Sequence, residues 1–493
     1  VKVVLINSGN DITISGNVNL QSYPPLNIIS LGTALKTEFN SIVDLHLIDG
    51  QIDSVECILN ELKTISPDLV GVSIYCTSIN NSIKIIRYAK NLGAKTILGN
   101  DHAMFHYANL LQQINELDYV CISDEGEFTL VSLLRYLIFK KIDLVDIHGL
   151  AYRNGNKIIK NENIRSSINK LNYFDRLPIP DRGLLQKRYW SYYLMSFKKQ
   201  NHKSFDANNI TGVTTINRAR GCARFKNPCR YCGISDLSLR GSSGDIFWKD
   251  VRQGYYDVNA NYFYEAFDSA TSWIFLLKDW VKCKPKDLDT SFFMYSQANE
   301  TTSKTVKLFK ELGVKGINTG FDSGDDFAIH LLKSKRNSLA SNKKAADLWT
   351  EANIEIHTSF VLAAIGDEKS TRASLESTVK FAEWLACNTM LVSMDSAVLY
   401  PDKGSIAGSW IWNPEIAIKE SKKLGWSFLN YELLNKISKK WRNKVFIDPN
   451  ELASDFADVC GVSISVLLEY DEEIKKIASG HKLNYGNSQG GRI

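Results

Sequence analysis

Cys222, Cys229 and Cys232 are the residues whose type and spacing could do chemistry. Cys229 and Cys232 form a C-x2-C pair that holds two thiolates close together, and Cys222 adds a third. Structural zinc usually takes four protein ligands. No fourth Cys or His has suitable spacing: Cys283 stands alone and His202 is isolated. A three-thiolate claw suits a four-iron cluster with one iron left open to a ligand that is not protein. A zinc knuckle or a chance grouping of cysteines is the other reading. Just before the claw, Val213-Thr214-Thr215-Ile216 is a β-branched run that predicts a buried strand, so the cysteines emerge from a strand end.

That strand opens a series. Tyr262 to Ser269, Ser291 to Gln297, Gly316 to Gly324, Ile354 to Leu362 and Met390 to Met394 each read as a strand running into a polar turn, and Leu399 to Ser405 closes the set. Between them lie helical patterns such as Thr305 to Leu312, capped by Gly313. Six parallel strands make about three-quarters of an eight-stranded barrel, with its site at the carboxyl-terminal rim.

The first part of the chain alternates in the same way. Val3 to Ile6, Val43 to Ile48, Leu69 to Ile74, Thr96 to Gly99 and Tyr119 to Ile122 are apolar runs separated by helical stretches such as Ile28 to Leu35 and Ile83 to Leu92. This predicts a doubly wound parallel sheet, which binds ligands at the carboxyl ends of its strands. Asn154-Gly155 predicts a hairpin in the following linker. Tyr189 to Asn209 shows no clear period and reads as surface structure. The tail after Ser405 reads as helices packed on the barrel, carrying Trp410, Trp412, Trp426 and Trp441, and residues 487–493 read as a flexible end.

Composition bounds the rest. A chain of 493 residues predicts two or three domains. A net charge of +5 without long basic runs gives no reason to expect nucleic acid. Nine cysteines scattered mostly singly make no disulfide framework and suit a reducing compartment. No run approaches about 18 apolar residues, and the opening VKVVLINS reads as a strand, not a signal peptide. The expectation is a cytoplasmic protein of enzyme size.

Arg220-Gly221-Cys222 with Cys229-Arg230-Tyr231-Cys232 resembles the cluster loop of radical S-adenosylmethionine (SAM) enzymes, here with six residues between the first two cysteines where that family usually has three. Phe267-Asp268-Ser269 resembles its acidic second-strand end, and Gly320-Phe321-Asp322-Ser323-Gly324 its fourth-strand G-x-E-S-G, with Asp in place of Glu. The first domain resembles the cobalamin-binding domain of one large subfamily at Tyr23-Pro24-Pro25-Leu26, Leu47-Ile48-Asp49, Pro67 to Ser73, Gly99-Asn100-Asp101-His102 and Asp124-Glu125-Gly126-Glu127. Asn100 stands where that subfamily usually has glycine, and no D-x-H-x-x-G offers a lower ligand to cobalt. Leu177 to Arg182 resembles the connector before the barrel.

The resemblance implies an α/β architecture: a Rossmann-like cobalamin-binding-type domain over residues 1–141, a linker over 142–209, a partial (β/α)6 radical SAM barrel over 210–405 and a helical region over 406–493. It implies a 4Fe–4S cluster on Cys222, Cys229 and Cys232. SAM contacts fall to Tyr231, Asp268, Gln297 and Asp322, and cobalamin contacts to Pro25, Ser73, Tyr75, Gly99, Asn100 and Glu125. The implied reaction is reductive cleavage of SAM to a 5′-deoxyadenosyl radical that attacks an unactivated carbon of a small molecule. Cobalamin-dependent C-methylation is the first expectation. Radical cyclisation, rearrangement or ring contraction without methyl transfer is the second, and a zinc-bearing scaffold without turnover is the reading from another class. An electron donor such as flavodoxin or ferredoxin is the implied protein partner, with no nucleic acid and no membrane.

Overall fold

The computed structural model describes residues 1–12, 23–163, 169–233 and 238–485. Ile234 and Ser235 beyond the last loop cysteine, and the end segment 487–493, lie outside the described residues.

Strands β1 (Lys2–Asn7), β2 (Asp44–Asp49), β3 (Leu69–Ser73), β4 (Lys95–Gly99) and β5 (Tyr119–Cys121) form a parallel sheet in the order β2-β1-β3-β4-β5. Alternate residues feed two cores. Val3, Leu5 and Leu69 pack under α1 (Leu26–Phe39) and α5 (Gly126–Phe139). Val4, Ile6 and Val70 pack under α2 (Val55–Ile65), α3 (Ile79–Asn91) and α4 (Asp101–Gln113). The strand order reverses between β1 and β3, so the binding crevice of a doubly wound sheet falls there. The Asn-Gly hairpin forms as β6 (Leu150–Asn154) and β7 (Lys157–Lys160), and it extends this sheet antiparallel beyond β5.

The stretch read as surface structure holds a helix, α6 (Lys187–Lys198), whose Tyr189, Tyr193 and Phe197 are fully buried. Their i, i+4, i+8 spacing makes one apolar stripe. Trp190, Tyr192, Leu194 and Met195 stand between the rings, so large apolar residues on the other faces hide the stripe from a reading by hydrophobic period.

The second sheet is wholly parallel. Strand β8 (Val213–Ile216) is followed by a short antiparallel pair, β9 (Ala219–Arg220) with β10 (Arg240–Gly241), and α7 (Gly244–Asp257). Then β11 (Tyr262–Glu265), α8 (Ile274–Lys282), β12 (Ser291–Ser296), α9 (Ser303–Leu312), β13 (Val314–Thr319), α10 (Asp326–Leu332), α11 (Leu339–Glu351), β14 (Glu355–Leu362), α12 (Glu368–Asn388) and β15 (Leu391–Val398) complete six strands of a half-barrel in chain order. Gly313 ends α9 in the left-handed region, as its position predicts.

The tail is helical, with α13 (Ile406–Trp412), α14 (Pro414–Glu420), α15 (Tyr431–Trp441), α16 (Pro449–Val459) and α17 (Ile464–Gly480). It also adds a two-residue strand, β16 (Asn484–Tyr485), beside β15. Trp410, Trp426 and Trp441 are buried in the barrel's outer core.

The two sheets are sewn together. Tyr23, just before α1, lies inside the half-barrel with its ring 5.1 Å from Tyr264 and 6.4 Å from both Tyr262 and Phe293. The Thr215 hydroxyl donates to the Pro24 carbonyl at 2.9 Å. Glu355 closes the base of the lumen, accepting from the backbone N–H of Lys203 and Ser204 and meeting His202 Nδ1 at 3.1 Å. In the connector, Arg182 is fully buried and pairs with Asp250 of α7 at 2.8 Å, while Arg218 meets the other Asp250 oxygen at 2.7 Å.

Candidate active site at the barrel rim

The cysteine loop leaves the carboxyl end of β8. Gly221 sits at φ +102°, open to glycine at little cost, and its N–H donates to Asp268 Oδ2 at 3.1 Å. The long gap after Cys222 is taken up by one turn of 3-10 helix (Ala223–Lys226), pinned by Arg224 Nη2 donating to the Lys333 carbonyl at 2.8 Å. Farther on, the Arg230 N–H donates to the Leu332 carbonyl, and the Ala407 N–H donates to the Arg230 carbonyl. Arg230, inside the C-x2-C pair, thus anchors the loop to both α10 and α13. None of Cys222, Cys229 and Cys232 is in a disulfide, and all three lie at intermediate depth.

The four residues expected to contact SAM gather around this loop. Asp268 holds Gly221, and Gln297 Nε2 donates to Cys222 Sγ at 3.1 Å. The Tyr231 hydroxyl donates to Asp322 Oδ1 at 3.0 Å, and Lys333 Nζ lies 2.6 Å from Asp322 Oδ2. Asp322 takes φ +62° between β13 and α10, and it bridges to β14 through Ser359 and Val361. Sequence reasoning missed Lys333, because nothing in its neighbourhood along the chain marks it as a partner of a strand end.

On the first domain the expected cobalamin residues divide. Pro25 precedes α1, and Ser73, Tyr75, Gly99 and Asn100 stand at the ends of β3 and β4. Asn27 of α1 brackets them: its Nδ2 donates to Ser73 Oγ at 2.9 Å and to Tyr75 Oη and Asn7 Oδ1 at 3.4 Å. Asn100, at φ +87°, adds a hydrogen bond from Nδ2 to Ser73 Oγ at 3.3 Å. Beside them Ser8 Oγ is buried without a hydrogen-bond partner. A polar cradle with an unanswered hydroxyl at the β1/β3 switch point fits the amide-rich periphery of a corrin. Glu125 stands apart, held by Arg176, Arg240 and Tyr173. It joins this domain to the linker and to β10.

Helix α4 docks on the barrel. A Cβ on Gly404 would come within 2.3 Å of the Phe105 ring, so bare backbone is needed where the two meet. Next to Phe105, His102 and His106 stack at 4.5 Å, and His106 meets Trp412 edge-on at 5.6 Å. All four ring nitrogens are buried without hydrogen-bond partners, and burial lowers His102 to about 4. Burial raises Asp402, on the facing turn, to about 6. A cavity of about 590 Å³ lies beside this contact, lined by Met104, Phe105, Ile122 and Lys160 to Asn163.

Residues 15–134 match the family model of the B12 binding domain. The structure is similar to that of the cobalamin-dependent S-adenosylmethionine radical enzyme OxsB, solved with aqua-cobalamin and S-adenosylmethionine. That match has 16% identity and a TM-score of 0.59, over 98% of this chain and 62% of OxsB. It is also similar to the radical S-adenosylmethionine methyltransferase TsrM from Kitasatospora setae, solved with cobalamin and a 4Fe–4S cluster, with 15% identity and a TM-score of 0.62 over 84% of this chain and 75% of TsrM. This chain spans about three-fifths of the length of OxsB. No curated protein sequence matches it. The chain therefore carries a B12-binding domain ahead of a parallel half-barrel and a helical tail, the fold of the cobalamin-dependent radical SAM enzymes. Among the described residues no helix is long and apolar enough to cross a membrane.

Proposed function

We propose that this chain is a radical SAM enzyme that modifies an unactivated carbon of a small molecule by cobalamin-dependent methylation. The observation that carries the reading is the Cys222–Cys229–Cys232 loop at the carboxyl end of β8, with Asp268, Gln297 and Tyr231 around it and α4 of the B12-binding domain docked beside it. When bound, a 4Fe–4S cluster with SAM supplies one-electron cleavage of the sulfonium, and cobalamin supplies the methyl group.

The chain's own residues do the rest. The three cysteines would hold the cluster, and the Gln297 amide places a hydrogen-bond donor on Cys222 sulfur, where it stabilises negative charge. Asp268 fixes the turn that presents Cys222. Tyr231, tied to Asp322, walls the place where the nucleoside of SAM would lie. Asn27, Ser73 and Asn100 would meet cobalamin at the switch point. The half-barrel and the domain docked on it exclude water from the reacting carbon. An external one-electron donor of the flavodoxin or ferredoxin kind completes the reading.

A second reading, radical rearrangement, cyclisation or ring contraction without methyl transfer, is favoured by one observation. Asn100 puts a side chain, bonded to Ser73, in the crevice where glycine would leave bare backbone. The deciding experiment is anaerobic reconstitution with iron, sulfide and hydroxocobalamin. Iron and sulfide assay, the visible spectrum and release of 5′-deoxyadenosine from SAM separate an enzyme from a zinc scaffold. Protein that stays cobalt-free after desalting yet turns over SAM favours rearrangement, and the mass of the product separates methylation from rearrangement where cobalt is retained.

A further inference from the structure

The half-barrel has an inner wall that the site above leaves unused. In the parallel register Ser359 of β14 pairs with Asp395 of β15, and His357 pairs with Ser393. His357 faces the lumen, its ring 4.9 Å from Phe293. Strand alternation therefore turns Asp395 inward. The opposite parity agrees: Met394 and Val398 lie in the core against the helices, and the Ser396 hydroxyl reaches Asp471 of α17. Tyr264 and Tyr295 face the same lumen from β11 and β12, with ring centroids 5.9 Å apart.

The wall is layered. Tyr262, Phe293 and His357 are buried beneath Tyr23 at the base, whereas Tyr264, Tyr295, Ser359 and Asp395 one step higher are only partly buried. The lumen thus opens toward the rim where the cysteine loop stands. Within this layer Asp395 is anomalous, for its Oδ1 is shut off from water with no hydrogen-bond partner. Among the described residues no Lys, Arg or His is ion-paired with it. Asp471, behind the strand, is already served by Lys475 at 2.9 Å and by Ser396 and Tyr485. Burial and then the Asp471 charge raise Asp395 to about 7. An orphaned carboxyl of this kind costs stability, and nothing in the fold repays it.

We propose that Asp395 is a substrate-binding residue that accepts a hydrogen bond from a protonated amine or similar cationic N–H group, with the body of that molecule lying against Tyr264 and Tyr295. A carboxylate with an unanswered oxygen is what such a cation requires, and Tyr264 and Tyr295, on strands farther round the same lumen, offer aromatic faces to the rest of the molecule. The inference rests on the reading of the half-barrel as the substrate cavity, and it names the class of group the substrate carries.

The test uses phenethylamine and its uncharged N-acetyl derivative, titrated by calorimetry into the cluster-reconstituted protein. The amine should bind at least about tenfold tighter than its acetylated form, the range of a hydrogen bond to a charged group. Asp395→Asn should abolish that preference while keeping its iron. It should also raise Tm, and more at pH 8 than at pH 5, because it removes a carboxyl whose ionisation the fold resists. Asp395→Ser provides a second loss of the acceptor. Equal binding of the two compounds, binding of neither, or a preference surviving in both variants overturns the proposal. Failure of the enzyme reading shows separately, as wild-type protein that takes up no iron or releases no 5′-deoxyadenosine, whatever its amine binding.

Discussion

The Tyr231 hydroxyl and the Asp322 carboxylate are joined at 3.0 Å, and this bond ties the cysteine loop to the end of β13. Asp322 is 1% exposed and holds Lys333 as well, so one carboxylate secures two elements of the rim. Asp322→Ala should destabilise the protein by about 3–5 kcal/mol, because Lys333 is left charged and unpaired in the interior. Asn should recover part of the loss, since it tolerates the left-handed backbone and still accepts from Tyr231. Urea unfolding of both variants checks the order; an Ala variant as stable as wild type refutes it.

Replacing Cys222, Cys229 or Cys232 singly with Ala should remove the cluster's iron and its broad visible absorption, because three thiolates are the fewest that hold four irons with one left open. Gln297→Leu should keep the iron and lower the cluster's midpoint potential, since it deletes the donor on Cys222 sulfur. Iron assay and a redox titration followed by electron paramagnetic resonance measure both. Full iron in a triple-Ala protein would remove the loop from the site.

Asp250 gives a pH dependence. Burial alone would raise its carboxyl, but Arg182 and Arg218 outweigh that and hold it below the usual 3.8. A native value below the unfolded one means the stabilisation is in place above about pH 4 and is lost as pH falls through the lowered value. Asp250→Asn should cost about 3–5 kcal/mol at pH 7 by stranding buried Arg182. The gap to wild type should narrow below pH 4 in denaturant titrations. A gap that stays constant with pH would mean that packing, not charge, sets the loss.

Asn27 and Asn100 should act oppositely on cobalamin. Asn27→Ala removes the bracket across Ser73 and Tyr75 and should lower the cobalt retained after desalting. Asn100→Gly clears the crevice and suits the positive φ, and it should raise retention. Cobalt content by atomic absorption is the readout. Wild-type protein that stays cobalt-free yet turns over SAM moves the function to rearrangement.

The elements that are consistent along the chain were legible in the sequence. Val213 to Ile216 is β-branched and buried through its whole length, and each later strand announces itself by an apolar run ending in a polar turn. Helix α6 was not legible, because Trp190, Tyr192, Leu194 and Met195 on its other faces blur the stripe made by its three buried rings. Strand β16 was not, because two residues carry no period and form a strand only where the β15 edge receives them. In the site, the cysteines show by type and spacing. Asn27, Lys333 and Asp395 do not, since a polar side chain becomes informative only once the fold has buried it and fixed its partners.

Tyr23 has a consequence for how the molecule is made. The ring that completes the base of the barrel belongs to a segment synthesised before the barrel exists, so the half-barrel closes on a part delivered from the opposite end of the chain. Contacts of such wide sequence separation slow folding, and they make the early segment a template for the later one. The two domains are therefore not interchangeable modules. A protein begun at residue 142 would keep Phe197 and Phe205 over Tyr262 but strip Tyr23 from Tyr264 and Phe293, and with that aromatic surface opened it should aggregate unless residues 1–141 are supplied in trans.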